Sequence, residues 1–403
     1  MLRAAIDCLS VALPDARFVL LSVYPDDDAR ENPDPALEIV RFTPKHMVFA
    51  AFPLALLFGA ARRFNLARSI QLPLPSLREV HDADLVIDLS GISFVDGRGY
   101  SILLYNIILA LLPGLVGTPV MKYAQAIGPF KNPLNRWSAR LCLPKVSRIA
   151  ARGRITLQHL RELGLPHDLV TQCTDAAFAM RIGPDAERAA QHWLSHPAFT
   201  RPVVAVSASS VVHEYCQQRG ANYTSLMAGF IDHLTRERGY GVLLLPHSTR
   251  LGKRSHKNND LPVCDRIKSH LGDNPWVVYP NLAEHADTLR VLIGRCRFLV
   301  ASRFHAMISG LAMGVPSLLI GWSHKYVEVL EEFELQDFAI DFSEASLDRL
   351  KREFARLEAE ESGVRDKIAK HLPRVVEASV RNARLALDLL GHPQPEGQQQ
   401  PTP

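Results

Sequence analysis

The chain has 403 residues, of which 47% are hydrophobic and 22% charged, with a formal net charge of +4 at pH 7. That length exceeds one typical domain and predicts two or three, and the apolar content can fill sizeable cores. So mild a charge, with no nucleic-acid-binding signature, sets nucleic acid aside as a partner.

The first 24 residues predict an amphipathic helix and then a strand, FVLLSVYP, ending at Pro25. Asp7 lies inside the N-terminal apolar pattern, which lacks the charge order and cleavage site of a signal peptide. Two apolar runs follow. Residues 47–61 are short for a membrane span and Pro53 interrupts them, while residues 102–120 contain Asn106, Pro113 and Pro119. Both are expected to form buried or interface helices, with shallow membrane contact as the other reading. Between them ADLVIDLS (83–90) is apolar enough for a strand buried on both faces, and a loop with Gly91, Gly97 and Gly99 follows it. VMKYAQAIGPF (120–130) and SRIAARG (147–153) are the next strands, and ITLQHLRELGL is a helix stopped by Gly164.

The pattern breaks near residues 181–201 and then restarts. PVVAVSAS, YGVLLLPHS, WVVYP, RFLVASRFHA and PSLLIGW read as strands, separated by helical segments. Residues 343–391 read as a charged helical tail and 392–403 as a disordered end. Strand–loop–helix alternation on both sides of the break predicts an α/β fold of two Rossmann-like domains, residues 1–190 and 200–342. The six cysteines (Cys8, Cys142, Cys173, Cys216, Cys264 and Cys296) are scattered without a CxxC pair. They predict reduced, buried thiols in the cytoplasm, and neither a metal cage nor a disulfide framework.

In open α/β sheets ligands bind beyond the carboxyl ends of the strands. His247 follows one apolar strand, Ser302, Arg303 and His305 another, and Ser323, His324 and Lys325 a third. The first half offers Asp88, Ser90 and Gly91 after one strand and Arg152 after another. If the SRFHA segment is extended, Arg303 and His305 share a face. Arg gives a two-pronged clamp for carboxylate or phosphate, Lys a point charge, and His a proton near neutral pH. The set suits a phosphorylated carboxylic acid bound in a cleft between the halves, and no Asp/His cluster has metal-ligand spacing. Taken singly, Arg152 reads more simply as a salt-bridge residue and His247 as a structural one.

The segment ASRFHAMISGLAMGVPSLLIGWSHKY (301–326) resembles the polysaccharide pyruvyl transferase family, with an S-x-R-x-H-A motif, a small-residue helix, G-V-P, a strand and a Lys-Tyr element. ADLVIDLSG, AQAIGPF, ARGRITLQHLRELGL, CTDAAFAM and LLLPHS extend the match in the same order over roughly residues 1 to 340. The resemblance implies a glycosyltransferase-B-like architecture, with the acceptor on the first domain and the donor on the second. It implies phosphoenolpyruvate as donor, a saccharide hydroxyl pair as acceptor, a pyruvate ketal as product and no cofactor. Arg303 and His305 are the implied catalytic residues. Arg152, Lys325, His247, Ser90 and Gly91 are the implied substrate contacts. Whether the acceptor is lipid-linked, which would bring the chain to the inner face of a membrane, stays open.

Three departures stand out. The chain starts inside what looks like the family's first helix, so the usual first strand and its G-x-x-N-x-G-D-x-A loop are missing or lie upstream. LSGISFVDGRGYS replaces a Gly-rich loop, and Gly153 replaces an acidic residue beside Arg152. Two other readings remain: a nucleotide-sugar glycosyltransferase or epimerase on the same architecture, and a non-catalytic saccharide-binding subunit.

Overall fold

The computed structural model describes residues 1–31, 36–66, 71–249, 258–280, 285–321 and 324–392. Ser323 and residues 393–403 of the expected disordered end lie outside them, as does the His324 side chain. The chain divides into two compact units, residues 1–180 with 377–402, and residues 181–376. The C-terminal helix Glu361–Leu389 belongs to the second unit at its start and to the first from Glu377 onward.

The first unit opens with the helix Leu2–Ala12 and a two-stranded parallel pair, β1 (Val19–Ser22) and β2 (Glu38–Arg41). Its main sheet holds β3 (Val86–Asp88), β4 (Ile92–Ser93), β5 (Val120–Ile127), β6 (Arg148–Arg152) and β7 (Val170–Cys173). The order is β3-β5-β6-β7, all pairs parallel, with β4 beside β5. Parallel strands covered on both faces need continuous apolar runs, and β5 is buried nearly throughout. On one side of the sheet Met121, Tyr123 and Cys173 pack with Cys8 and Leu9 of the first helix and Ala386 of the last. Ile127, Ile149, Leu160 and Leu163 belong to a second cluster, where Leu160 and Leu163 come from the helix Gly153–Leu163. That helix ends at Gly164 with φ +88°, a left-handed position that glycine takes without steric cost.

Pro53 does not interrupt the first apolar run: helix continues from Pro44 to Arg63. A widened π-turn, Met47–Ala51, precedes Pro53, which occupies the start of the α-helical segment Phe52–Arg63. The π-turn accommodates a residue that has no N–H to donate and whose ring crowds the preceding turn.

The second unit is a six-stranded parallel sheet of β8 (Val203–Ala208), β9 (Gly241–Pro246), β10 (Val277–Val278), β11 (Phe298–Ala301), β12 (Ser317–Gly321) and β13 (Ala339–Asp341). The order β10-β9-β8-β11-β12-β13 is the doubly wound arrangement in which strand order reverses between the first and fourth strands, here β8 and β11. Phe230, Tyr240, Phe298 and Phe354 meet edge-to-face on this sheet, with ring centroids 5.4–6.1 Å apart. All six cysteines are buried as free thiols.

Candidate functional site

The reversal point of a doubly wound sheet opens a crevice at the strand carboxyl ends, because the flanking connections leave in opposite directions. In the second unit this falls at the loops after β8 and β11. After β8, Ser209 caps the helix Ser210–Gln218. After β11 the chain passes through Ser302 and Arg303 into the helix Phe304–Ala312. Arg303 is the N-cap residue and His305 is already helical, so strand alternation does not relate them; the apolar run FHAMISGLA favours helix from Phe304 onward.

The anchor of the crevice is Asp260, a fully buried residue that sequence reasoning did not single out. It precedes the helix Leu261–Leu271 as its N-cap, yet its side chain does not cap that helix. The carboxylate instead takes the Nε of Arg303 at 2.7 and 3.0 Å and its Nη2 at 2.5 Å. It also accepts the backbone N–H groups of Ser210 at 2.8 Å and Ser248 at 2.9 Å. Arg303 Nη2 donates to Ser210 Oγ at 2.8 Å. One carboxylate thus ties together the loops after β8, β9 and β11 and fixes the guanidinium in one orientation. Tyr223 braces the same turn, its hydroxyl 2.7 Å from Ser302 Oγ, and Tyr326 donates to the Ser302 carbonyl at 3.4 Å.

His247 follows β9 directly. Burial, reinforced by the charges of His305, Arg303 and Arg290, pushes its pKa down to about 3. It is therefore a neutral imidazole near pH 7, and its Nε2 is buried without a hydrogen-bond partner among the described residues. A buried polar atom left unsatisfied calls for a ligand or water. Lys325, in the first turn of the helix His324–Glu331, places Nζ 4.9 Å from the Phe304 ring and 5.5 Å from the Tyr326 ring. Phe304 in turn meets the His305 ring edge-on at 5.4 Å. Four of the seven expected site residues, His247, Arg303, His305 and Lys325, thus gather at the carboxyl ends of β9, β11 and β12. A pocket of about 300 Å³ in this unit is lined by Tyr215, Gln218, Arg219 and Phe342, which are none of these residues, so it does not define the site.

The other three belong to the first unit. Arg152 ends β6 and donates to Asp175 Oδ2 at 2.9 Å in a buried ion pair. Asp175 also accepts from Ala177 N at 2.9 Å, which fixes the turn after β7. Ser90 donates its N–H and its hydroxyl to Asp88 Oδ1, at 2.9 and 2.5 Å. The other Asp88 oxygen takes Lys122 Nζ at 2.6 Å. Burial pushes the Asp88 carboxyl up, but the Lys122 charge and the hydrogen bonds from Lys122 and Ser90 outweigh it and hold the group below its ordinary value. Gln125 extends the network, donating to the Asp88 carbonyl at 2.8 Å and accepting from Ser93 at 2.6 Å. Gly91, at φ +71°, accepts Ala126 N through its carbonyl and starts β4 beside β5. Sequence reasoning passed over Lys122 and Gln125, although a lysine inside the strand VMKYAQAI was a visible anomaly.

The chain is 25% identical over 265 residues to the amylovoran biosynthesis protein AmsJ of Erwinia amylovora, a match covering 64% of this chain and 61% of that protein. The chain therefore spans about three fifths of the length of that relative. A putative UDP-N-acetylglucosamine 2-epimerase from Listeria monocytogenes superposes with a TM-score of 0.62 at 10% identity, covering 98% of this chain and 95% of the other. The UDP-GlcNAc 2-epimerase of Neisseria meningitidis gives 0.54 at 12%, covering 95% and 97%. At such identities the likeness is one of fold, the glycosyltransferase-B-like class with two Rossmann-like units. The polysaccharide pyruvyl transferase family model matches residues 1–324, and the chain belongs to that enzyme family.

Proposed function

We propose that the protein transfers a pyruvyl group from phosphoenolpyruvate to two hydroxyls of a saccharide, forming a ketal in the synthesis of an envelope or exopolysaccharide. Membership of the family and the relation to a polysaccharide biosynthesis protein support the saccharide acceptor. The observation that carries the donor assignment is the Asp260-clamped Arg303, set beside a neutral His247 and followed in its helix by His305.

In the proposed reaction Arg303 and Lys325 face the donor carboxylate and phosphate, and neutral His247 adds a hydrogen bond without adding charge. His305 delivers a proton to the methylene carbon, which becomes a methyl group and leaves an oxocarbenium centre at C2. One saccharide hydroxyl attacks C2, and its proton replaces the one His305 delivered. The C2–O bond to phosphate then breaks, aided by the Lys325 charge and by the directed N–H groups of Arg303, whose own charge Asp260 largely meets. The second hydroxyl attacks the oxocarbenium centre re-formed at C2, and the released phosphate takes its proton. No metal or further cofactor enters the balance. In the first unit we assign substrate contacts to Arg152, Ser90 and Gly91. The Asp175 pair meets much of Arg152's charge, so Arg152 acts mainly by direction of its hydrogen bonds. A lipid-linked acceptor presented at the cytoplasmic face of a membrane completes the reading.

The test is phosphate release from phosphoenolpyruvate in the presence of candidate diol saccharides. The expected result is acceptor-dependent release that falls about 10²-fold or more in His305→Ala, the loss typical of a proton-transfer residue. Unchanged turnover in both His305→Ala and Arg303→Ala would remove the assignment.

A further inference from the structure

A helix that is apolar on every side is normally buried. The helix Pro44–Arg63 is long and apolar enough to cross a membrane, yet only 22% of its most apolar 18-residue stretch is buried. One face is committed: Met47, Ala51, Ala55 and Phe58 pack into a core with Leu77, Val80, Ile108, Leu112 and Val116. The helix cannot leave the protein to span a bilayer without opening that core. The opposite face is an exposed stripe at helical spacing, Phe49, Pro53, Leu56, Leu57, Ala60 and Phe64, with Phe49 80% and Phe64 73% accessible. The helix Tyr100–Val116, packed against it, exposes Tyr100, Ile102 and Leu104 at its start. The helix Pro133–Cys142, packed in turn on that one, exposes Leu134, Trp137 and Leu141, again at helical spacing.

Charge around these helices is mostly basic, the exception being Asp96, whose carboxylate accepts Lys131 N, Asn132 N and Asn135 Nδ2 at the start of the helix Pro133–Cys142. No Asp or Glu occurs between Glu38 and Glu79, or between Asp96 and Glu162, whereas Arg and Lys recur in both stretches. Lys45, Arg62, Arg63, Lys131 and Arg136 are exposed, and among the described residues none of their side chains forms an ion pair with an acidic group, although the Lys131 backbone N–H meets Asp96. Apolar and aromatic side chains ringed by unpaired cations match an anionic lipid surface, where rings enter the headgroup–acyl boundary and cations meet lipid phosphate. A second copy of the same basic face would repel it.

We propose that the first unit docks on anionic phospholipid membranes through the exposed faces of the helices Pro44–Arg63, Tyr100–Val116 and Pro133–Cys142, as a surface-bound and not a spanning protein. The proposal needs neither donor nor acceptor and stands apart from the pyruvyl-transfer reading. The experiment is flotation of the purified full chain with vesicles of phosphatidylcholine containing about 30% phosphatidylglycerol, against phosphatidylcholine alone. The expected result is flotation with the anionic vesicles that weakens as salt is raised. Phe49→Asp/Leu57→Asp/Trp137→Asp changes only exposed residues, so it keeps its circular dichroism and melting temperature while losing vesicle binding by more than about tenfold. Arg62→Gln/Arg63→Gln/Arg136→Gln removes three cations, each contributing roughly fivefold at an anionic surface, and loses on the order of a hundredfold. Failure of the folded wild-type chain to float with anionic vesicles overturns the proposal. So does a concentration-dependent dimer that the Asp triple variant dissolves while vesicle binding is absent, which would make a second copy the occupant.

Discussion

Replacing Asp260 by alanine removes the one carboxylate on which Arg303, Ser210 N and Ser248 N converge. Arg303 is largely buried, with 16% of its side chain accessible, so its charge loses its partner in a poorly solvated place. Breaking a buried pair from one side costs about 3–5 kcal/mol, and the residual exposure of Arg303 places the expectation at the lower end, about 3 kcal/mol. For a unit of about 200 residues each kcal/mol moves the melting temperature by roughly 2–4 °C, so the expected fall is about 6–12 °C. Differential scanning calorimetry of Asp260→Ala, Arg303→Met and the double variant separates the pair from its surroundings. The double variant should be more stable than the sum of the single losses by about 2 kcal/mol, because each single change strands the other charge. Additive losses within about 0.5 kcal/mol would refute the claim that Asp260 holds Arg303, and would reduce Asp260 to an anchor for two backbone N–H groups.

His247 carries a proton in the unfolded chain below pH 6.5 but stays neutral in the folded one down to about 3. The unfolded state therefore binds more protons across that window, so stability falls as pH drops from 6.5 towards 3, by up to about 1.4 kcal/mol per pH unit, and is indifferent to this group above 6.5. His247→Gln should flatten the melting-temperature profile between pH 4 and pH 6.5; an unchanged slope contradicts the burial of a neutral imidazole. Lys122→Met leaves Asp88 buried without its cation and should cost about 3–5 kcal/mol in denaturant unfolding, part of which Asp88→Asn in the same chain restores. A β-carbon at Gly310 would stand 2.5 Å from Leu299 Cδ2 and 2.9 Å from Ser317 Oγ. Overpacking of about 1–3 kcal/mol, less the helix gain of alanine over glycine, leaves Gly310→Ala destabilised by about 1 kcal/mol, readable as a lower denaturation midpoint.

Much of this architecture was legible. Continuous apolar runs such as VVAVSA and GVLLLP could only be strands covered on both faces, and their alternation with amphipathic segments dictated parallel sheets. Because ligands in such sheets gather at strand carboxyl ends, the positions of His247, Arg303, His305 and Lys325 followed from the pattern. The partners of those residues did not. Asp260 is 43 positions from Arg303 and stands just before a helix, where an aspartate ordinarily caps. Only the fold shows that its carboxylate turns elsewhere. SRFHA reads as extended by its neighbours on the strand side, but the apolar run after it recruits Phe304 and His305 into helix. Pro53 misled for a related reason: a π-turn upstream absorbs it, and π-turns leave no reliable mark in sequence.

The central claim, a phosphoenolpyruvate site built on Arg303, is tested most directly by the melting temperature of the full chain with and without phosphoenolpyruvate, beside phosphate and a UDP-sugar. At 100 times its dissociation constant the ligand stabilises by about 2.7 kcal/mol, a shift of roughly 5–10 °C for a unit of this size. The account predicts that shift with phosphoenolpyruvate and its loss in Arg303→Ala. A shift with the UDP-sugar and none with phosphoenolpyruvate would contradict it.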